Sequence, residues 1–366
     1  MGRITWLGTK VRAQVLSAAA ITVLALGGCG GSEDPATQAG AFGQIAFLSS
    51  HEGNDEIYVI RADGTGLTNV TQSPGDDGSR VINEGPNFAW APDGKRIAYA
   101  SAGEIYVVDS DGSNRARLTN DGGASEPAWS PDGTRMAFVS QRDGAPKVYL
   151  INADGSLQTR LTATDSGSHE NFPAWSPDGA KMAFEVSGTN RGIYVMNADG
   201  SGLTKVSRTD ERYYAPVWSP DGSKIAITCQ CIGPDESIYN KIFVLGVDDL
   251  QSASIPSGAV EDEHYDSPSW SPDGQRIAFN ALLEHRLDVY VANADGSDPT
   301  QLTKDGVSGG PAWSSDGASI AVLRIEEEDG ERKGALYVLS ANGSAERKIT
   351  SVITSPYFAW SPGTFH

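Results

Sequence analysis

The sequence is short of basic side chains and of apolar runs long enough to cross a membrane. Against 47 Asp and Glu there are 28 Lys and Arg, and the formal net charge is −19. A protein that binds nucleic acid needs a basic face, so this deficit makes nucleic acid a poor partner. The apolar stretch from Val15 to Leu26 falls below the roughly 20 residues of a spanning helix. Neither a P-loop nor a Rossmann fingerprint is present, so these nucleotide-binding motifs are excluded.

Turn-forming residues are abundant by contrast. The chain has 42 Gly and 19 Pro among its 366 residues, with 39% hydrophobic and 20% charged residues. This balance is sufficient for a buried core, and its turn density favours an all-β protein over a helical one.

The N-terminal segment is typical of an export signal, because basic residues precede the short apolar stretch. Leu26-Gly27-Gly28-Cys29 resembles the bacterial lipobox, in which the cysteine becomes the lipidated first residue of the mature protein. We predict a signal peptide over residues 1–28, a lipidated Cys29 with a flexible tether over residues 29–42, and a propeller domain over residues 43–366. The protein would then be exported and membrane-anchored, in the periplasm or on the cell surface. Gly30 resembles outer-membrane sorting in Gram-negative bacteria, and an ordinary signal peptide or a short anchor with a chance cysteine is the alternative.

A repeat fills the chain from residue 43 onward. Each unit contains a tryptophan, in most units followed by Ser-Pro-Asp-Gly and a triplet such as Ile-Ala-Phe, then a second apolar triplet that runs into Asn-Ala-Asp-Gly. The tryptophans are spaced 39 to 52 residues apart. They are Trp90, Trp129, Trp175, Trp218, Trp270, Trp313 and Trp360.

Each unit is predicted to form four short antiparallel strands, because Pro-Asp-Gly suits a tight turn and parallel strands need a long crossover. The Ile-Ala-Phe alternation puts two bulky side chains on one sheet face and alanine on the other. Both faces must therefore be covered, and radial stacking of four-stranded sheets achieves this. A period near 45 residues lies within the range of propeller blades.

These repeats resemble the WD40-like propeller repeat of the TolB family over about residues 43–362. Seven copies of each strand type predict seven blades, provided that the strand at Tyr357–Trp360 joins the blade begun by residues 43–71. Six blades, as the family resemblance implies, is the alternative.

The two rims of such a propeller differ in sequence. The turn rim carries the uniform Ser-Pro-Asp-Gly and Asn-Ala-Asp-Gly turns, whereas the irregular rim carries the longer links within and between blades. Binding usually sits on irregular loops of a rigid scaffold, so we assign a protein or peptide partner to the irregular rim. The candidate partner-binding residues are Glu84, Glu126, His169, Glu170, Tyr213, Tyr214, His264, Tyr265 and Asp266.

No catalytic constellation is recognised, so the sequence predicts a non-catalytic, monomeric binding module in the cell envelope, without a cofactor. The alternative is a metal-assisted enzyme of the polysaccharide lyase kind, with a divalent cation at the channel mouth near His169 and His264. Cys229 and Cys231 are left open as bonded or free, because a disulfide at this spacing needs a bulge. Two thiolates alone do not make a structural zinc site, and no metal ligand is assigned.

Overall fold

The computed structural model describes residues 43–50, 53–72, 87–162, 164, 167–207, 211–232, 236–256, 263–328, 330–353 and 358–362. Within these ranges the regular secondary structure is strand, and no helix is long and apolar enough to cross a bilayer. The predicted signal peptide, Cys29, the tether and Glu84 lie outside the described residues.

Four-stranded antiparallel sheets, seven in number, make up the fold. In chain order their strands are β1 (Gln44–Ser49), β2 (Glu56–Arg61), β3 (Thr68–Asn69), β4 (Phe88–Trp90), β5 (Arg96–Ser101), β6 (Glu104–Asp109), β7 (Ala116–Arg117), β8 (Ala124–Trp129), β9 (Arg135–Ser140), β10 (Lys147–Asn152), β11 (Thr159–Arg160), β12 (Ser168–Trp175), β13 (Lys181–Gly188), β14 (Gly192–Asn197), β15 (Thr204–Lys205), β16 (Arg212–Trp218), β17 (Lys224–Ile232), β18 (Ile238–Gly246), β19 (Ser252–Ile255), β20 (His264–Trp270), β21 (Arg276–Leu283), β22 (Arg286–Asn293), β23 (Thr300–Gln301), β24 (Ser308–Trp313), β25 (Ser319–Glu328), β26 (Glu331–Ser340), β27 (Glu346–Ile353) and β28 (Phe358–Trp360).

The predicted closure of the ring is confirmed. Strand β28 pairs with β1, so blade one has the order β28-β1-β2-β3 and combines the two ends of the described chain. Each other blade takes four consecutive strands, with the tryptophan strand first; blade two is β4–β7, and blade seven is β24–β27. The fold is therefore a seven-bladed β-propeller, as predicted, and the six-bladed alternative is wrong.

The core lies between the blades and follows the predicted alternation of large and small residues. In blade five, Ile225 and Ile227 pack with Ala183 of blade four in one buried cluster. Ile277 and Phe279 of blade six pack in the same way with Ala226 of blade five. Each bulky face thus fills the small-residue face of the preceding blade, which buries both faces of every sheet.

The hairpins of blades five to seven differ from the sequence prediction. The segments 228–241, 280–288 and 324–334 are links within blades on this irregular rim, which the sequence analysis treats as irregular loops. Instead the strands continue into them, so that β17 and β18 have nine residues each and β25 and β26 have ten, against six in β1 and β2. Long β-hairpins rather than loops therefore extend the irregular rim at blades five to seven.

Candidate functional site

Among the residues that the structure describes, the tryptophan strand carries a β-bulge in five blades, always at the residue before a proline. This residue has a positive φ between 40° and 65°, and the register to the second strand shifts across it. The bulge residues are Glu126, Phe172, Ala215, Ser267 and Gly310. A bulge releases a backbone N–H from the strand ladder, and this group can then bond to a neighbouring blade.

Glu126 joins three blades through its bulge. Its N–H donates to Oδ1 of Asn87 at 2.9 Å, and its Oε2 accepts from the N–H of Phe172 at 2.5 Å. The residue is only 5% exposed, and burial raises the pKa of its carboxyl to about 8. Although the sequence places Glu126 in the partner-binding set, its side chain connects tryptophan strands inside the ring.

Glu170 is a second buried carboxylate, with 0% exposure. Its Oε1 lies 3.4 Å from Nζ of Lys147, and the N–H of Val148 donates to its Oε2 at 2.8 Å. The hydroxyls of Thr162 and Thr164 also donate to this carboxylate. These contacts connect blade three to blade four, so the Glu170 side chain is held within the protein and not presented at the rim.

The neighbouring aromatic and histidine candidates divide into exposed and buried groups. His169 is exposed, and Tyr214 is half-buried with the Arg212 guanidinium 6.0 Å from its ring centroid. Tyr213 and Tyr265 are buried, at 6% and 5% exposure. Of these four candidates, His169 and Tyr214 offer the more accessible surface.

Asp266 lies in a polar cluster between blades five and six. Its Oδ1 accepts from Nδ2 of Asn280 at 2.8 Å, and its Oδ2 accepts from Nδ2 of Asn240 at 3.5 Å. The Asn240 N–H donates to Nδ1 of His264 at 3.3 Å. Burial raises the pKa of the Asp266 carboxyl despite these hydrogen bonds. The structure therefore brings His264 and Asp266 together through Asn240, which the sequence analysis did not identify.

The described candidates occupy equivalent strands of consecutive blades. Glu126 belongs to β8, His169 and Glu170 to β12, Tyr213 and Tyr214 to β16, and His264 to Asp266 to β20. Each precedes its tryptophan by three to six residues and so lies toward the irregular rim. The predicted set is thus an arc over blades three to six, with a mixture of buried and accessible side chains.

Another group of polar side chains was missed by sequence reasoning. Glu211, Cys229 and Cys231 place their carboxylate and thiol atoms within 4.8 Å of one another. In the described part of the chain, one group of at least three His, Cys, Asp or Glu side chains is close enough to hold a metal ion, and it is this group. It contains no histidine. The Cys-x-Cys spacing was the signal available in the sequence, whereas the contribution of Glu211 depends on strand pairing.

The chain is therefore a β-propeller built from sequence repeats. It has seven four-stranded blades, one rim of uniform turns and one irregular rim. A family model described as the TolB beta propeller domain matches residues 79–242. Over these residues, the match confirms the TolB-like propeller repeats that the sequence pattern predicts.

Relatives with similar sequences belong to more than one functional class. The TolB homolog of Chlorobaculum tepidum is 32% identical over 123 residues, which is 32% of this chain and 26% of that protein. Tricorn protease homolog 1 of Streptomyces coelicolor is 40% identical over 76 residues, which is 20% of this chain and 6% of that protein. The matches thus span about a quarter or less of the relatives' own length.

Solved structures share the fold at low identity. The oligogalacturonate lyase of Vibrio parahaemolyticus has a TM-score of 0.62 at 17% identity, covering 81% of this chain and 85% of that one. A puromycin-hydrolyzing peptidase of Mycobacterium tuberculosis has a TM-score of 0.65 at 15% identity, with 93% and 57% covered. TolB of Acinetobacter baumannii has a TM-score of 0.52 at 19% identity, with 89% and 84% covered. Because propellers serve different functions, these similarities identify the architecture and not the activity.

Proposed function

We propose that this chain is a TolB-like, non-catalytic propeller that binds a protein partner of the cell envelope through its irregular rim. The TolB family match and the difference between the two rims support this role. The observation that carries the proposal is a group of accessible side chains at the irregular-rim ends of blades four and five. This group consists of His169, Tyr214, Ile232 and Ile238.

The apolar members of the group stand on a protruding hairpin. Ile232 ends β17 and Ile238 begins β18, and the two residues are direct cross-strand partners. They are 66% and 58% exposed, although isoleucine is among the residues most often buried. Exposed aliphatic and aromatic side chains rimmed by polar groups are typical of protein-binding surfaces.

The cation-dependent enzyme has less support from this geometry. It would need His169 and His264 near one ion, but His169 is the second residue of β12 and His264 the first residue of β20, and β16 of blade five lies between those strands. The net charge of −19 is also unfavourable for attracting an anionic oligosaccharide. Binding rather than catalysis is therefore the function that we assign to this rim.

Membrane attachment through Cys29 forms part of the proposal. A diacylated cysteine gives firm anchoring where a single chain would not, and the tether would allow the propeller some freedom above the bilayer. In membrane fractionation, the wild type should stay with the envelope, whereas Cys29→Ser should appear in the soluble exported fraction. Equal membrane retention of both chains would remove the lipid anchor from the proposal.

Partner binding is tested by pull-down from detergent-solubilised envelope, with partners identified by mass spectrometry. A variant with His169→Ala, Tyr214→Ala, Ile232→Ser and Ile238→Ser should lose most partner recovery. The matched control places Leu157→Ser and Leu203→Ser near the turn rim, where both leucines are exposed. The control should recover the same partner as the wild type. Equal recovery by all three proteins would exclude the irregular rim as the binding surface.

A further inference from the structure

Two thiols lie side by side on one face of blade five. Cys229 and Cys231 are two residues apart on β17, so both side chains point to the same face of the sheet. Their exposures are 0% and 5%, and the Sγ atoms are 2.8 Å apart as free thiols. Strand pairing with β18 continues without a shift through both residues, so the bulge that would favour a disulfide is not present there.

A carboxylate completes a three-membered donor group. Glu211 directly precedes β16, the strand that pairs with the thiol-bearing β17. Its Oε2 accepts from the Cys229 thiol at 2.7 Å, and the three donor atoms lie within 4.8 Å of one another. A small rearrangement of side chains would bring all three onto one ion.

The surroundings of this group are apolar and aromatic. Tyr213 lies opposite Cys229, and Tyr239 lies opposite Cys231. Both tyrosines are buried at 6% exposure, in the same cluster as the two thiols. Lys241 also lies opposite Cys229, with its ammonium 4.9 Å from the centroid of the Tyr239 ring. Limited water access strengthens electrostatic attraction at such a site, and the lysine offsets part of the ligands' negative charge.

Electrostatics favours a cation at this position. The carboxylate of Glu211 and the two thiol sulfurs lie within 4.8 Å of one another. Anionic groups at this separation would repel one another, and a bound cation would relieve that repulsion. Thiolates favour thiophilic ions over Mg²⁺ and Ca²⁺, which prefer oxygen ligands.

We propose that Glu211, Cys229 and Cys231 form a binding site for one thiophilic divalent cation of the Zn²⁺ class. Binding converts both thiols to thiolates, and their two protons leave to solvent. The three protein ligands leave one position of a tetrahedral Zn²⁺ sphere for water. This site is on blade five, directly beside Ile232 of the protruding hairpin, and none of its three ligands belongs to the partner-binding residues proposed above.

Cobalt binding to the reduced, metal-free full chain in detergent tests the proposal, because Co²⁺–thiolate charge-transfer and ligand-field bands report the ligands directly. The wild type should bind one Co²⁺ per chain, and Zn²⁺ should displace it with loss of the bands. Glu211→Gln should weaken binding on the order of 10-fold, and Cys229→Ser with Cys231→Ser on the order of 100-fold or more. Glu284→Gln changes an exposed acid on the hairpin of blade six, and it should bind like the wild type.

Alkylation of the unmodified sequence gives a readout that does not depend on variants folding. Zn²⁺ should protect Cys229 and Cys231 from a thiol reagent, as measured by peptide mass spectrometry after digestion. Equal labelling with and without Zn²⁺, or retained Co²⁺–thiolate bands in the double serine variant, would overturn the proposal. A disulfide between the two cysteines in protein isolated from the envelope would also overturn it.

Discussion

At the residue scale, the repeated tryptophans connect neighbouring blades by hydrogen bonds. The indole Nε1 of Trp218 donates to the backbone carbonyl of Ala174 in the preceding blade at 3.0 Å. Four further indoles make the same kind of bond at 3.0 to 3.1 Å, namely those of Trp90, Trp175, Trp270 and Trp360. Trp129 and Trp313 are buried, but no acceptor for their Nε1 groups is found within the described ranges. The tryptophan is therefore both a packing group and an inter-blade donor in most blades.

This difference predicts that replacing tryptophan with phenylalanine lowers the free energy of unfolding by different amounts in different blades. Trp218→Phe should lower the free energy of unfolding by about 1 to 3 kcal/mol more than Trp129→Phe, since only the first leaves a buried carbonyl without its donor. Both substitutions lose similar aromatic area, so Trp129→Phe is the matched control. Chemical denaturation of the two variants and the wild type measures the difference. Equal destabilisation would show that the indole bond contributes nothing beyond packing.

The raised pKa of the buried Glu126 carboxyl predicts that its contribution to the free energy of unfolding decreases as the pH rises. Its pKa is raised from an ordinary 4.5 to about 8 by burial, so the folded protein holds a proton that the unfolded chain has released. Its contribution is therefore fully present below pH 4.5 and is lost as the pH rises to about 8, at up to about 1.4 kcal/mol per pH unit.

Glu126→Gln should flatten this part of the stability profile and make the protein more stable than the wild type at pH 8. Denaturant unfolding over a pH series measures the slopes, with the exposed Glu284→Gln as the control. Parallel profiles for the wild type and Glu126→Gln would contradict the raised pKa.

At the scale of the element, the Ser-Pro-Asp-Gly turn is stabilised by its own side chains. In blade five, Ser219 Oγ donates to Oδ1 of Asp221 at 2.5 Å, and the same carboxylate oxygen accepts from the N–H of Ser223 at 3.0 Å. Gly222 has φ of 71°, and a Cβ there would lie 3.6 Å from Cδ of Pro177 in the turn of blade four. The glycine is thus required by its backbone conformation, whereas the space beside it would accept a methyl group.

Two substitutions at Gly222 separate these effects. Gly222→Ala should lower the free energy of unfolding by about 1 to 2 kcal/mol, because an L-residue is strained at positive φ. Gly222→Asn should cost less, since asparagine adopts the left-handed region more readily. Denaturation midpoints measure both values, and a larger cost for asparagine would indicate that crowding rather than φ controls this turn.

Elements were more predictable than the contacts of individual side chains. The turns, the alternation in Ile225-Ala226-Ile227 and the closing strand all rest on local patterns, so the sequence was sufficient to predict seven blades. Glu126 is the buried bulge residue before Pro127, and the sequence analysis did not anticipate this bulge. Glu211 meets Cys229 across 18 residues of chain, through the pairing of β16 with β17. Predicting such a contact requires knowledge of the strand register and of the direction of each side chain.

At the scale of the whole molecule, β28 connects three blades. It pairs with β1 in blade one, and Trp360 Nε1 donates to the carbonyl of Ala312 in blade seven at 3.0 Å. The carbonyl of Ala359 accepts from Nε1 of Trp90 in blade two at 3.1 Å. Phe358 and Trp360 are buried in the cluster between blades one and seven, at 5% and 3% exposure. The ring is therefore held closed by a short strand from the C-terminal region.

Removal of that strand should open the ring rather than weaken one blade. Deletion of residues 355–366 exposes the edge of β1 and the apolar surface between blades one and seven, so we expect loss of the single cooperative melting transition in calorimetry.

Trp360→Ala keeps the strand but removes its largest buried side chain. That variant should melt as one unit, with a midpoint lowered on the order of 10 °C, because such a truncation costs about 3 to 5 kcal/mol. Deletion of residues 363–366 leaves β28 in place and serves as the length control. Blades that stack only on their neighbours would unfold independently of the missing strand. If the longer deletion melts like the control, closure by β28 therefore does not hold the blades in one cooperative unit.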